Sequence, residues 1–163
     1  MINLILPLRA VQGVLNIIIL GLAAYCVDIT GKGPYGWTYS EAAFLVFTTI
    51  WTLLVLAYLV LTPMFMPKYH NRWAVLGLEA VTMIFWFAGF IAMAASIGGI
   101  HCNSRYYGEE ACRGINTAKA AAALGAFEWL AWAVTLGLII QAIIASRRGD
   151  RAADPDAEQA AAA

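Results

Sequence analysis

Four stretches of the chain stay apolar for longer than a helix in water can. They run from about Leu8 to Val27, Ala42 to Thr62, Trp73 to Ile97 and Lys119 to Ala145. About 20 apolar residues are enough to cross the hydrocarbon core of a bilayer as a helix. A helix in water keeps a charged, polar outer face, whereas each of these stretches carries at most two charges. The third is the clearest. From Trp73 to Ile100 it reads WAVLGLEAVTMIFWFAGFIAMAASIGGI, with Glu79 as its only charge. The pattern predicts an all-α integral membrane four-helix bundle in up-down order, over residues 1–145. Four crossings put both termini on the same side.

The polar residues within the spans are not scattered. Arg9, Gln12, Gly13 and Asn16 recur at helical spacing on one face of the first span, and Ala23 and Ala24 extend that side. In lipid such a face points into the bundle, where small and polar groups let helices approach and hydrogen-bond. The second span carries Thr48, Thr49 and Thr52 and no charge; threonine hydroxyls in helices bond back to their own backbone. Glu79 lies about 9 Å past Trp73 at the rise of an α-helix, and Arg9 starts at the same edge of the bilayer. Arg9 then either pairs with Glu79, pinning the first helix to the third, or snorkels to lipid phosphates. Glu128 falls near mid-bilayer in the fourth span, on a face shared with Ala121, Gly125, Trp132 and Thr135. At that depth it meets Asn16 or a threonine as hydrogen-bond partner. The two acids differ in depth by roughly 15 Å or more in a ~30 Å hydrocarbon core, too far to work as a catalytic pair.

The connections are short. Residues 28–41 read DITGKGPYGWTYSE, where glycines and Pro34 stop the helix; Tyr35, Trp37 and Tyr39, with Trp73, are placed to anchor at the headgroup level. Pro63 and Pro67 end the second span, and a short link leads to Arg72. Residues 100–118 form a polar loop, and 146–163 read as a disordered tail, rich in alanine and charge and too poor in apolar surface to fold alone.

Composition agrees with lipid as the solvent. Of 163 residues, 62% are hydrophobic and only 12% charged, against about 25% charged in soluble domains. The formal net charge is zero, which leaves no footprint for nucleic acid. Basic residues set the orientation. Arg9, Lys68, Arg72, Arg147, Arg148 and Arg151 share the side of the termini; Lys32, Arg105, Arg113 and Lys119 share the other. The excess favours cytosolic termini. Cys102 and Cys112 then face the oxidising side in one loop, where disulfides persist, and a Cys102–Cys112 bond is expected. Cys26, near a span end, behaves as a small buried hydrophobe. The stretch Leu22-Ala23-Ala24 could imitate a signal-peptide cleavage site, but no basic residue precedes the apolar run, so a retained helix is the reading.

Candidate chemistry is sparse. His70 and His101 lie outside the spans, so no axial haem pair projects from them. There is no Cys-x-x-Cys, Gly-x-Ser-x-Gly, His-Glu-x-x-His or phosphate loop. The expectation is no catalytic residue, no metal and no cofactor. Membrane lipids are the expected partners, with a second copy or other membrane proteins as further candidates. The location is a plasma membrane or endomembrane.

Four spans, a short first loop, a cysteine pair in the second and a first helix opening LRAVQGVLNIIILGLAAY resemble the MARVEL-domain family, most of all its small fungal members. The Arg9/Gln12 pattern and the Cys102/Cys112 pair carry the resemblance, which covers about Leu6 to Ala145. It implies a non-catalytic module for membrane apposition, vesicle trafficking or microdomain organisation. Tetraspanins differ by a large loop with Cys-Cys-Gly, and claudins by a Trp…Cys…Cys first loop, neither of which is present. Two other readings stay open: a small proton-coupled transporter or channel using Glu79 and Glu128, and an accessory subunit of a larger membrane complex.

Overall fold

The computed structural model describes residues 2–32, 39–65, 72–102 and 104–153. They form four helices: α1 (Ile2–Lys32), α2 (Tyr39–Phe65), α3 (Arg72–Ile97) and α4 (Ser104–Ala153). All four are long and apolar enough to cross a membrane, over Ile5–Ile29, Ser40–Thr62, Arg72–Ile97 and Gly108–Arg148. Each packs on its chain neighbours, and α4 closes the ring against α1. Contacts at the two ends fix the alternation. Ser96 near the end of α3 hydrogen-bonds to Glu41 at the start of α2. Gly114 of α4 meets Ile29 at the end of α1. Arg147 near the end of α4 sits over the Trp73 ring at the start of α3, 5.7 Å from its centroid. The bundle therefore has a termini end and a loop end.

The surface is set by the solvent. Leu6, Val14, Ile17, Leu54, Ile84, Phe127 and Val134 point outward, whereas Gln12, Asn16, Glu79, Glu128 and Thr135 are wholly buried. A soluble bundle would do the reverse. Lipid accepts the apolar side chains, and the polar ones are left to find one another. Rings fill the gaps between helices: Phe85 of α3 lies edge-on to Trp51 and Phe44 of α2, and Trp129 of α4 packs on Phe87 and Phe90 of α3. Two glycines allow this closeness. A Cβ on Gly89 would come 2.9 Å from the end of Leu45, and one on Gly125 would come 3.1 Å from Phe90.

The helices outrun the apolar stretches. α1 begins before Leu8 with Pro7 inside it, and α2 continues past Pro63 to Phe65. The largest departure is the stretch 100–118, expected as a loop. The chain leaves α3 through Gly98, Gly99 and Ile100, and α4 starts at Ser104, with one break at Gly108 (φ 78°, ψ 162°). A side chain there would be strained, so glycine is the residue that can turn the chain at this point. The segment beyond the break, EEACRGINTAKA, is polar but helical by nature. Glu109 and Glu110 sit in its first turn, where carboxylates favour the helix N-terminus. Glu109 also stands four residues before Arg113, a supportive spacing. Polarity told of water and not of irregular backbone. At the other end α4 runs on to Ala153, beyond the tail boundary expected at Ser146; residues 154–163 are outside the described part.

Candidate functional site

The polar residues collect around one guanidinium. Arg9, on the first turns of α1, is held inside the bundle rather than released to the headgroups. It forms an ion pair with Glu79 of α3. Its Nη1 donates to Gln12 Oε1, 3.1 Å away and one turn along the same helix. Its Cζ lies 5.0 Å from the centroid of the Trp132 ring of α4, a cation–π contact that is strongest where water is excluded. Glu79 Oε2 accepts from the Thr135 hydroxyl at 2.9 Å, and the same hydroxyl reaches its own helix at the Trp132 carbonyl, also 2.9 Å. Three helices thus meet at one ion pair: α1 through Arg9, α3 through Glu79, α4 through Thr135 and Trp132. A carboxylate in hydrocarbon persists only when paired in this way.

Glu128 belongs to the same network. Its Oε1 accepts from Trp132 Nε1 at 3.0 Å. This corrects the expectation that Glu128 bonds to Asn16 or a threonine. Trp132 lies one turn further along α4, and i to i+4 spacing brings its indole N–H to the carboxylate without crossing to another helix. Asn16 instead spends its Nδ2 on the backbone oxygen of Thr49 in α2, 3.0 Å away. The wide separation expected for the two acids is also revised. Glu79 is bonded to Thr135, and Glu128 is two turns from Thr135, about 10 Å at helical rise. Arg9 pairs with Glu79 directly, and Glu128 is joined to it through Trp132, whose ring lies under Arg9 and whose indole N–H bonds to the carboxylate.

Tryptophan indoles tie α2 to α3. Trp86 Nε1 donates to Thr52 Oγ1 at 3.0 Å, and Trp51 Nε1 donates to Thr82 Oγ1 at 3.1 Å. Thr48, Thr49 and Thr82 return their own protons to backbone oxygens of their helices at 2.7–2.9 Å. A threonine bonded to its own helix still has lone pairs for a neighbour's N–H, and Thr82 uses them.

The loop end is built differently. Its interior is Ile19, Ala23, Met93, Ile97, Ala118 and Ala121; Ala24, expected on the inner face, is exposed. Cys26 is buried and sits 3.9 Å from the carbonyl oxygen of Gly114. Cys102 and Cys112 are joined by a disulfide. Glu41 accepts from Ser96 and Ser40, both at 2.8 Å, and Lys119 Nζ donates to the Ile100 carbonyl at 2.8 Å.

Of the residues singled out in the sequence, Arg9, Gln12 and Glu79 come together directly, with Glu128 joined to them through Trp132; Asn16 bonds to α2. Trp73 is exposed at the termini end beneath Arg147. Tyr35 and Trp37 are outside the described residues, and Tyr39 opens α2. Trp132 shares the Glu128 face in the sequence without a bonding role expected of it, and Trp86 is not among the residues singled out there; both indoles donate hydrogen bonds. The spacing of Trp132 from Glu128 was the available signal. Glu41, expected in the first loop, lies in the first turn of α2 and bonds to Ser96 of α3.

Four membrane-crossing helices, closed into a ring around a buried charge network, define an integral multi-pass membrane protein. Residues 1–138 match the family model for MARVEL, the membrane-associating domain. The chain belongs to that family. No curated protein and no solved structure matches it.

Proposed function

We propose that this protein is a non-catalytic organiser of membranes, acting in membrane apposition, vesicle trafficking or the grouping of lipids into microdomains, with both termini in the cytosol. The observation that supports this most is the Arg9–Glu79–Thr135 junction. The intramembrane ion pair is spent on holding three helices together, and the outward surface is apolar side chains suited to lipid. Family membership agrees, since the matching domain is membrane-associating. Lipids are the primary partners, and Trp73 anchors the termini end at the headgroups.

The test is the distribution of the tagged protein in living cells together with what co-purifies with it in mild detergent. The expected outcome is enrichment at membrane contact or budding sites with defined lipids. Stoichiometric recovery in one larger complex would replace this role with that of an accessory subunit. Proton flux in proteoliposomes that is lost in Glu79→Gln and Glu128→Gln would replace it with transport.

A further inference from the structure

Four buried polar atoms have no hydrogen-bond partner among the described residues; Glu79 Oε1 is answered by its ion pair with Arg9, which leaves Gln12 Nε2, Asn16 Oδ1 and Glu128 Oε2. Their residues are wholly buried. Such orphans are uncommon in folded proteins and are usually answered by a water or an ion. Their identities are fixed by what the other end of each group does. Gln12 presents its oxygen to Arg9, so its nitrogen is the free end. Asn16 gives its nitrogen to the Thr49 carbonyl, so its oxygen is free. Glu128 uses Oε1 for Trp132, so Oε2 is left.

The three fall within about one turn of one another along the bundle. Arg9 touches both Gln12 and the Trp132 ring, which registers α1 against α4. From there α1 climbs about one turn to Gln12 and two to Asn16, while the antiparallel α4 climbs one turn from Trp132 to Glu128, each turn about 5.4 Å. Gln12 and Asn16 share the inner face of α1, and α1 and α4 are direct neighbours.

We propose that Gln12, Asn16 and Glu128 together hold a buried water molecule between α1 and α4. The chemistry selects water over an ion. A cation would face the Gln12 N–H group and the Arg9 guanidinium. An anion would face a carboxyl and a carbonyl oxygen. A water accepts from Gln12 Nε2 and gives its two hydrogens to Asn16 Oδ1 and Glu128 Oε2, making the three bonds that are typical of buried waters. It adds the Asn16–Thr49 contact of α1 with α2 to the network that already joins α1, α3 and α4.

The experiment uses the full chain in lipid nanodiscs, with paired NOE and ROE spectra recorded at the water frequency; the pairing separates a bound water from proton exchange. The expected result is a water cross-peak at the Gln12 side-chain amide protons with the sign of a long-lived water. It disappears in Asn16→Leu while the backbone spectrum stays that of the folded protein. Should Asn16→Leu fail to fold, the wild-type spectrum alone decides. Absence of that cross-peak in the wild type overturns the proposal. So does a direct contact between the Glu128 carboxyl and the Asn16 or Gln12 side chain, or a shift of the Gln12 resonances when sodium chloride replaces choline chloride, which would mark an ion.

Discussion

At the termini end the helices are joined by Arg9, Glu79, Thr135 and Trp132, all buried and all bonded across helix boundaries. At the loop end they are joined mainly by Ile19, Ala23, Met93, Ile97 and Ala121, by the Ser96–Glu41 hydrogen bond, and by one covalent cross-link between α4 and the chain leaving α3. The difference reflects what lipid can and cannot replace. Lipid tails solvate an isoleucine as well as a neighbouring helix does, so apolar contact alone gives little reason to assemble. Lipid has nothing to offer a guanidinium or a carboxylate. The termini end is therefore held by groups whose separation hydrocarbon would penalise. The loop end depends on close fit of small residues and on a bond that limits the unfolded chain.

The comparison breaks most visibly at Arg9. Arg9→Met leaves Glu79 buried without its counter-charge, and the expected loss is about 3–5 kcal/mol, read as thermal unfolding in detergent. The double variant Arg9→Met/Glu79→Met recovers most of that loss, because an apolar pair of similar volume replaces a buried ion pair at little cost. If the double variant is no better than the single, charge pairing is not what holds this end. Next comes the disulfide. Cys102→Ser/Cys112→Ser removes the closure of a loop of separation 10, about 2–3 kcal/mol in the chain-entropy model; alkylation and then gel mobility verify the bond in the parent protein first.

Smaller effects sharpen the contrast. Gly125→Leu pushes against Phe90 and Trp86 and lowers stability by roughly 1–3 kcal/mol, whereas Gly21→Leu has nothing within 4 Å and stays within about 0.5 kcal/mol of the parent. Equal losses at both glycines would show that fit between helices is not what Gly125 provides. Trp86→Phe removes the donor to Thr52 and part of a wholly buried indole; about 0.6 kcal/mol is the size of such interhelical bonds in membranes, with a ceiling near ~1.7 kcal/mol, and the smaller ring adds a packing loss. The same denaturation assay resolves it against Trp86→Leu, which also removes the packing.

Much of the fold was legible in the pattern of the chain. Four long apolar runs could only be spans, and the spacing of Arg9, Gln12 and Asn16 put them on one inner face. Glu79 shared its depth with Arg9. The course of the chain between α3 and α4 was not legible, because the polarity of EEACRGINTAKA reports exposure to water, while its Glu, Ala, Arg and Lys residues are good helix formers that offset Gly114, Asn116 and Thr117. The partner of Glu128 was hidden for another reason. Asn16, Thr49 and Thr52 were all at a suitable depth, and only the rotation of each helix about its axis decides which of them faces the carboxyl. Trp132, on the same helix, depended on no such rotation.

From Glu109 to Ala153 the fourth helix is one uninterrupted rod. At about 1.5 Å per residue it is more than twice as long as the hydrocarbon layer is thick, so it projects from the bilayer. One projecting end is clasped to the chain leaving α3 through Cys112; the other carries Arg147 against Trp73. A stiff member fastened at both surfaces has no freedom to answer at one end alone. One continuous element therefore joins the disulfide-bonded cap to the opposite face of the membrane.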